Sequence, residues 1–140
     1  MSRKALVLDA NILIRAVLGH KVRDLIMAYA DHIDFFAPND CFEDARKYLP
    51  ELLLKRGITV EPALEVLQII ERLVQPVESE WLDAFESQAR LRLKQRDEQD
   101  WPILAAALAL NCPIWTEDAD FFGVGVATWT TSNVQHYLAD

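Results

Sequence analysis

Asp9 closes the apolar run Ala5-Leu6-Val7-Leu8, Asp118 follows Ile114-Trp115, Asp100 opens an alanine-rich stretch, and Glu43 and Asp44 sit in a helical stretch after Pro38. Carboxylates at strand ends and helix starts tend to converge on something positive, because an ionised carboxylate taken out of water costs roughly several kcal/mol unless it is paired. No lysine or arginine flanks Asp9, Asp100 or Asp118 in the chain. A divalent cation is the partner that fits, since clustered hard oxygen ligands suit magnesium or manganese. The chemistry such a centre would carry is metal-dependent cleavage of a phosphodiester.

Each residue also has a plainer account. Asp9 could simply cap the helix that follows it, but Asn11 is equally able to cap, which would free Asp9 to bind a metal and leave Asn11 to cap or to orient it. Asp97 and Asp100 are three apart and share a face if their helix begins at or before Asp97. Asp97-Glu98 also suits a helix N-terminus on charge grounds alone. Asp100 abuts the apolar face that must be buried, so it is the stronger ligand, with Asp97 beside it. Asp118 and Asp120 lie in a turn that continues into Phe121-Phe122, a pair expected to fold the turn back onto the core. Asp118 is the expected ligand, Asp120 an outer one, Glu117 a surface residue, and Thr116 a hydroxyl within reach of the ligands. Glu43 and Asp44 point about 100° apart on a helix, so both cannot easily serve one ion. Asp44 is flanked more closely by the inward residues Phe42, Ala45 and Leu49, Glu43 has the longer reach, and the choice stays open. His20, His32 and His136 lie in polar turns or the terminal helix. The chain has no Ser-His-Asp or Cys-His order and no phosphate-cradling glycine loop.

Bulk properties set the frame for these residues. A chain of 140 residues is expected to form a single domain, 1–140, with a real core and no need of disulfides. Hydrophobic residues make up 51%, yet no run approaches the roughly 20 apolar residues of a membrane span. Met1-Ser2-Arg3-Lys4 leads straight into a core strand rather than a signal sequence, so a cytoplasmic protein is expected. Cys41 and Cys112 lack the spacing of zinc or redox sites and read as reduced, half-buried fillers. The net charge of −8 argues against tight non-specific binding of nucleic acid, which depends on neutralising phosphates. It leaves room for a nuclease whose acidity is partly its own metal site, and for a basic partner chain.

The elements that must position the acids alternate. Lys4–Leu8 reads as a buried strand and Ile12–Leu18 as a helix stopped by Gly19. A helix over Val22–Ala30, a strand over Ile33–Ala37 and a helix capped by Asn39 or Asp40 follow, the last expected to kink or divide at Pro50. Pro62–Val74 and Trp81–Leu93 carry helical spacing and look like an inserted helical hairpin, with Gln75-Pro76-Val77 between them as a very short edge strand. Asp100–Leu110 is a central helix whose alanines allow close approach. Pro113–Thr116 is a buried strand, Gly123 and Gly125 form a turn, Val126–Thr130 is a last strand, and Ser132 or Asn133 caps a terminal helix. The expected fold is α/β: a three-layer α/β/α sandwich around a mostly parallel sheet, with its ligand crevice at the carboxyl ends of the strands.

Val7-Leu8-Asp9-Ala10-Asn11, Glu43-Asp44 after Pro38, Arg96-Asp97-Glu98-Gln99-Asp100-Trp101-Pro102-Ile103-Leu104-Ala105 and Ile114-Trp115-Thr116-Glu117-Asp118-Ala119-Asp120-Phe121 together resemble the PIN domain family, including its VapC-like toxins. The similarity runs along essentially the whole chain. It implies an α/β/α sandwich and a magnesium- or manganese-dependent ribonuclease, often dimeric and inhibited by a small antitoxin protein encoded beside it. Carried over, the family's first acid falls on Asp9, its second on Glu43 or Asp44, its third on Asp100 with Asp97 beside it, and its fourth on Asp118. The second position usually holds Glu in that family, so Asp44 in this role would be one methylene short. Arg15, Lys47 or Arg96 could contact an RNA backbone, although surface charge is the simpler account of each.

Two rivals remain at this level. A phosphatase of the haloacid dehalogenase type would need a second Asp where Asn11 stands, and a later lysine. A catalytically weak PIN-like module that binds RNA or a protein would keep the fold without the chemistry. DNA cleavage stays open, and exposed apolar residues on the Pro62–Leu93 helices would suit a partner.

Overall fold

The structure, a computed structural model, describes residues 3–140. Met1 and Ser2, which open the expected leaderless start, lie outside the described residues. Strand β1 (Lys4–Leu8) leads into helices α1 (Ala10–Leu18) and α2 (Lys21–Tyr29), then β2 (Ile33–Pro38). Helices α3 (Asn39–Lys55) and α4 (Val60–Leu73) carry the chain to β3 (Val74–Val77). Next come α5 (Ser79–Leu82), α6 (Glu86–Arg92) and α7 (Trp101–Leu110), followed by β4 (Ile114–Trp115), β5 (Thr128–Trp129) and α8 (Val134–Ala139).

All four strand pairings are parallel, in the order β3-β2-β1-β4-β5. β1 is central, with Leu6 beside Phe35 and Leu8 beside Trp115. Its last three residues are fully buried, which is why it reads as a continuous apolar run rather than an alternating one. The chain winds outward from β1 to β2 and β3, then crosses back to lay β4 and β5 on the other side of β1. The order therefore reverses between β1 and β4, and at such a switch point the adjoining loops part and leave a crevice at the carboxyl ends of the strands.

Helices cover the sheet as the α/β/α expectation requires. α1 packs with α2, α3 and α4, while α7 packs with α5 and α6 and lies against β1, β2 and β4. α7 has no polar face: Pro102 through Ala107 are all buried. Its alanines let the helix axis approach the sheet closely, and the left-handed Asn111 ends it. Among the described residues no helix is long and apolar enough to cross a membrane.

Several local expectations are corrected. The Pro62–Leu93 stretch is not a hairpin: β3 joins the sheet between its halves, and α4 packs on α1 and α3 whereas α6 packs on α7. The segment expected as one helix from Trp81 to Leu93 is α5, a 3₁₀ turn at Asp83–Phe85 and α6. Pro50 does not divide α3, because buried Leu49 and Leu53 hold both sides of it against the core. Neither Asn39 nor Asp40 caps α3, whose N-cap is Pro38. β4 and β5 are each two residues long, shorter than their apolar runs.

Candidate active site

The loops after β1 and β4 and the starts of α3 and α7 border a cleft of about 500 Å³. Asp9, Glu43, Asp44, Asp100 and Asp118 all line it, so acids spread over 110 residues of sequence meet at the switch point. Asp40 lines it too. Asp97 does not: it is exposed and starts the 3₁₀ turn Glu98–Asp100, its Oδ1 accepting from the Gln99 N–H at 3.0 Å. α7 proper begins only at Trp101, so the shared helical face expected for Asp97 and Asp100 does not form.

Asp9 is 5% exposed and fixed from two sides. Its Oδ1 accepts from the Ile12 N–H at 3.0 Å, and its Oδ2 accepts from the Thr116 hydroxyl at 2.5 Å. Asp9 thus caps α1 and Asn11 does not, contrary to the expected division of labour. Capping does not exhaust Asp9, since a carboxylate has about four acceptor sites. Burial pushes its pKa up, the Thr116 and Ile12 bonds pull it down, and Asp118 and Glu117 push it up again.

Thr116 is the hinge of the arrangement. Fully buried at the end of β4, it donates to Asp9 and accepts from the Asp118 N–H at 2.9 Å, tying the ends of β1 and β4 together. Asp118 in turn accepts from the Asp120 N–H at 2.9 Å through Oδ1, which starts the 3₁₀ turn Ala119–Phe121. Buried Phe121 anchors that turn in the core, as the Phe121-Phe122 pair suggests, while Phe122 is exposed. Arg96 holds the same turn from outside, its Nη1 donating to the Asp120 carbonyl at 3.2 Å.

Asp100, Asp118 and Asp120 each bring a carboxylate oxygen to within 4.8 Å of the other two. Asp100 caps nothing with its side chain. Burial, then Asp97, Asp118, Asp9 and Asp120, raise its pKa from 3.8 to about 7. A set of oxygens this close is repulsive at neutral pH unless protonated or bridged by a cation, and an all-oxygen donor set fits a hard divalent ion such as magnesium or manganese. Asp120, expected as an outer ligand, stands inside this group. Asp9 and Asp97 stand outside it, although the charge of each acts on Asp100.

On α3, Glu43 and Asp44 both reach the cleft despite their divergent directions, because Asp40, Glu43, Asp44 and Tyr48 form one face along its first turns. Asn39 Nδ2 donates to Glu43 Oε1 at 3.3 Å. The spacing Asp40-x-x-Glu43-Asp44 was the available signal for Asp40, which reads as a cap candidate in isolation. Cys41, read as an inert filler, also lines the cleft. Burial and the charges of Asp9, Asp44, Asp40 and Asp100 push its thiol well above the usual range, so it stays protonated and is no nucleophile.

The sequence matches the PIN domain family over residues 7–139. No curated protein matches it significantly in sequence. Among solved structures, it is similar to a chain of VapBC2 from Rickettsia felis, crystallised bound to a DNA fragment from their promoter, with 14% identity, a TM-score of 0.69, and 90% of this chain and 98% of that chain covered.

Proposed function

Because the chain belongs to the PIN domain family, we propose that it is a divalent-metal-dependent ribonuclease acting as one domain over residues 1–140, and the toxin of a pair with a small antitoxin protein. The observation that carries this reading is the approach of Asp100, Asp118 and Asp120 within 4.8 Å at the switch point, beside the buried Asp9. Asp100, Asp118 and Asp120 would hold magnesium or manganese, with Asp9 and one of the α3 acids completing the set. A bound ion there supplies charge neutralisation at the scissile phosphate and lowers the pKa of water. The chain's own residues do the rest. Thr116 and the Ile12 N–H orient Asp9, the Ala119–Phe121 turn presents Asp118 and Asp120 together, and Asp100 contributes oxygens that no capping bond competes for.

The antitoxin reading draws on the likeness to a chain of VapBC2, crystallised bound to a DNA fragment from their promoter. Exposed Ile69 and Trp81 and, on α6, Leu91 offer apolar surface to such a partner or to a second copy in a homodimer. We place its site of action in the cytoplasm as part of the same proposal.

The test is cleavage of a mixed structured-RNA pool by purified, antitoxin-free protein with magnesium or manganese, repeated in EDTA and with Asp118→Asn. We expect cutting that is lost in both controls. Undiminished cutting in EDTA and in the variant would overturn the reading.

A further inference from the structure

The acidic cleft explains hydrolysis but not how a polyanion approaches it, in a chain of net charge −8. The C-terminal end of α1 offers an answer. Arg15, Lys21 and Arg56 line a second pocket of about 350 Å³ where the end of α1, the start of α2 and the end of α3 meet. Gly19, Val22 and Thr131 complete the wall that matters, and no carboxylate lines it. Among the described residues none of the three cations forms an ion pair. The nearby pair His20–Asp24, at 3.5 Å, lies outside the lining, and Glu117, bonded to the Thr131 N–H at 3.1 Å, does not line it either.

Arg15 and Arg56 stand at helix C-termini, where a cation is favoured and needs no further account. Lys21 does not fit that account. It is the first residue of α2, the positive end of a helix whose N-terminus no side chain caps, so its charge opposes the local field. An anion in the pocket would satisfy Lys21, both arginines and the first-turn amides together.

The pocket is also placed for one substrate. Asn11 and Ile14 of α1 line the carboxylate cleft, and Arg15 and Leu18 line the basic pocket. Asn11 and Arg15 are one helical turn apart on the same face, about 6 Å along the axis. We propose that this pocket seats a backbone phosphate of the single-stranded nucleic acid whose adjoining segment lies in the carboxylate cleft. The proposal rests on the nuclease reading above for the identity of the strand, not for the existence of the anion site.

Two measurements on the full chain separate the two ideas. In the first, the Lys21 and Val22 amide resonances of labelled, metal-free protein are followed while inorganic phosphate and then a short oligoribonucleotide are added, for wild type and for Arg15→Ala/Arg56→Ala. Saturable shifts are expected in wild type only, larger with the oligonucleotide. In the second, RNA cleavage by the double variant should show KM raised roughly tenfold with kcat unchanged, and a salt dependence of log KM shallower by about 0.7 per lost phosphate contact. Arg15→Lys/Arg56→Lys should recover most of the KM. Unperturbed amides together with unchanged KM would overturn the pocket and leave the nuclease reading standing. Phosphate-induced shifts in a protein that cuts no RNA would overturn the nuclease reading and the assignment to substrate with it. An acidic peptide that shifts the same amides more strongly than the oligonucleotide would overturn the nucleic-acid assignment.

Discussion

Asp100→Asn should abolish cleavage and at the same time make the metal-free protein more stable. The carboxyl of Asp100 is raised by burial and by Asp97, Asp118, Asp9 and Asp120 from 3.8 to about 7. A carboxyl whose folded-state pKa lies above its unfolded value holds its proton more tightly in the folded state. Its contribution to stability is therefore fully present below the unfolded value and is lost as pH rises through the folded one. For Asp100 that window runs from about pH 4 to about pH 7. At ~1.4 kcal/mol per pKa unit the full loss would be about 4 kcal/mol. Asp100 is only half-buried, and solvent screening reduces this to roughly 1–2 kcal/mol. Asparagine removes the charge at nearly constant volume and breaks no capping bond, because the Asp100 side chain makes none.

The assay is urea unfolding of wild type and variant in EDTA at about pH 5 and about pH 8, inside and above the window of Asp100. The variant should be the more stable at the higher pH, with the gap narrowing by roughly half or more at the lower one. Adding magnesium at the higher pH should stabilise wild type more than the variant, because a ligand that binds only the folded state raises its stability by mass action. A variant no more stable than wild type at high pH, or a gap independent of pH, would refute the claim that burial and the neighbouring carboxylates together penalise the charged Asp100 when no cation is bound.

Thr116→Val keeps the volume but strips Asp9 of a donor and the Asp118 N–H of its acceptor; unfolding should become easier by roughly 2–3 kcal/mol with kcat reduced, and unaltered stability would show the link to be dispensable. Gly125→Ala should destabilise more than Gly57→Ala: both have positive φ, at +88° and +66°, but only at Gly125 would the new Cβ lie 2.8 Å from Arg92 Nη1, whereas Gly57 faces open space. Thermal melts should separate the two by about 1 kcal/mol or more, and equal melting points would mean that Arg92 moves aside freely. Of the α3 acids, Glu43 is the one oriented by a neighbour, Asn39, so Glu43→Gln should lower kcat by about tenfold or more and Asp44→Asn by less; the reverse order would assign the second acid to Asp44.

The parts of the fold legible in the sequence were those with one strong local signal. β1 and the core of β4 are uninterrupted apolar runs, and α7 is a block of alanine and leucine closed by Asn111. What was not legible depends on contacts distant in sequence. The short edge strand expected at Gln75-Pro76-Val77 is present as β3, but its pairing with β2, which sets α4 and α6 against different helices, could not be read locally. The break at Asp83–Phe85 leaves the helical spacing of Leu82, Ala89 and Leu93 intact, so periodicity alone could not see it. At the site, residue types pointed to Asp9, Asp100 and Asp118, because an acid bordering an apolar run stands out. Thr116 was legible only as a nearby hydroxyl, since its bond to Asp9 spans 107 residues. Asp40 was hidden by its own plausibility as a cap, and the place of Asp97 outside the cleft was not legible because the helix start could not be placed to within one turn.

The edge where the parallel strands end is also the edge where the following helices begin, and this coincidence accounts for the density of acids there. Asp9 sits at the start of α1, Asp100 at the start of α7 and Asp118 at the start of a 3₁₀ turn. Each carboxylate therefore meets the positive end of a helical segment, whose unpaired amides ease its burial by up to about 1 kcal/mol for a regular helix. That help is smaller than the combined cost of burial and of neighbouring carboxylates that raises the pKa of Asp100 to about 7. The balance left over is what a cation would supply, so the fold gathers the acids without fully neutralising them. An apolar replacement of α7's alanines by larger residues would push its N-terminus, and Asp100 with it, away from β1 and β4. Ala105→Leu, at a fully buried position of α7, should accordingly cost about 1–3 kcal/mol by overpacking and weaken magnesium binding as well. Loss of stability with unchanged metal affinity would show that the position of α7 does not set the spacing of the carboxylates.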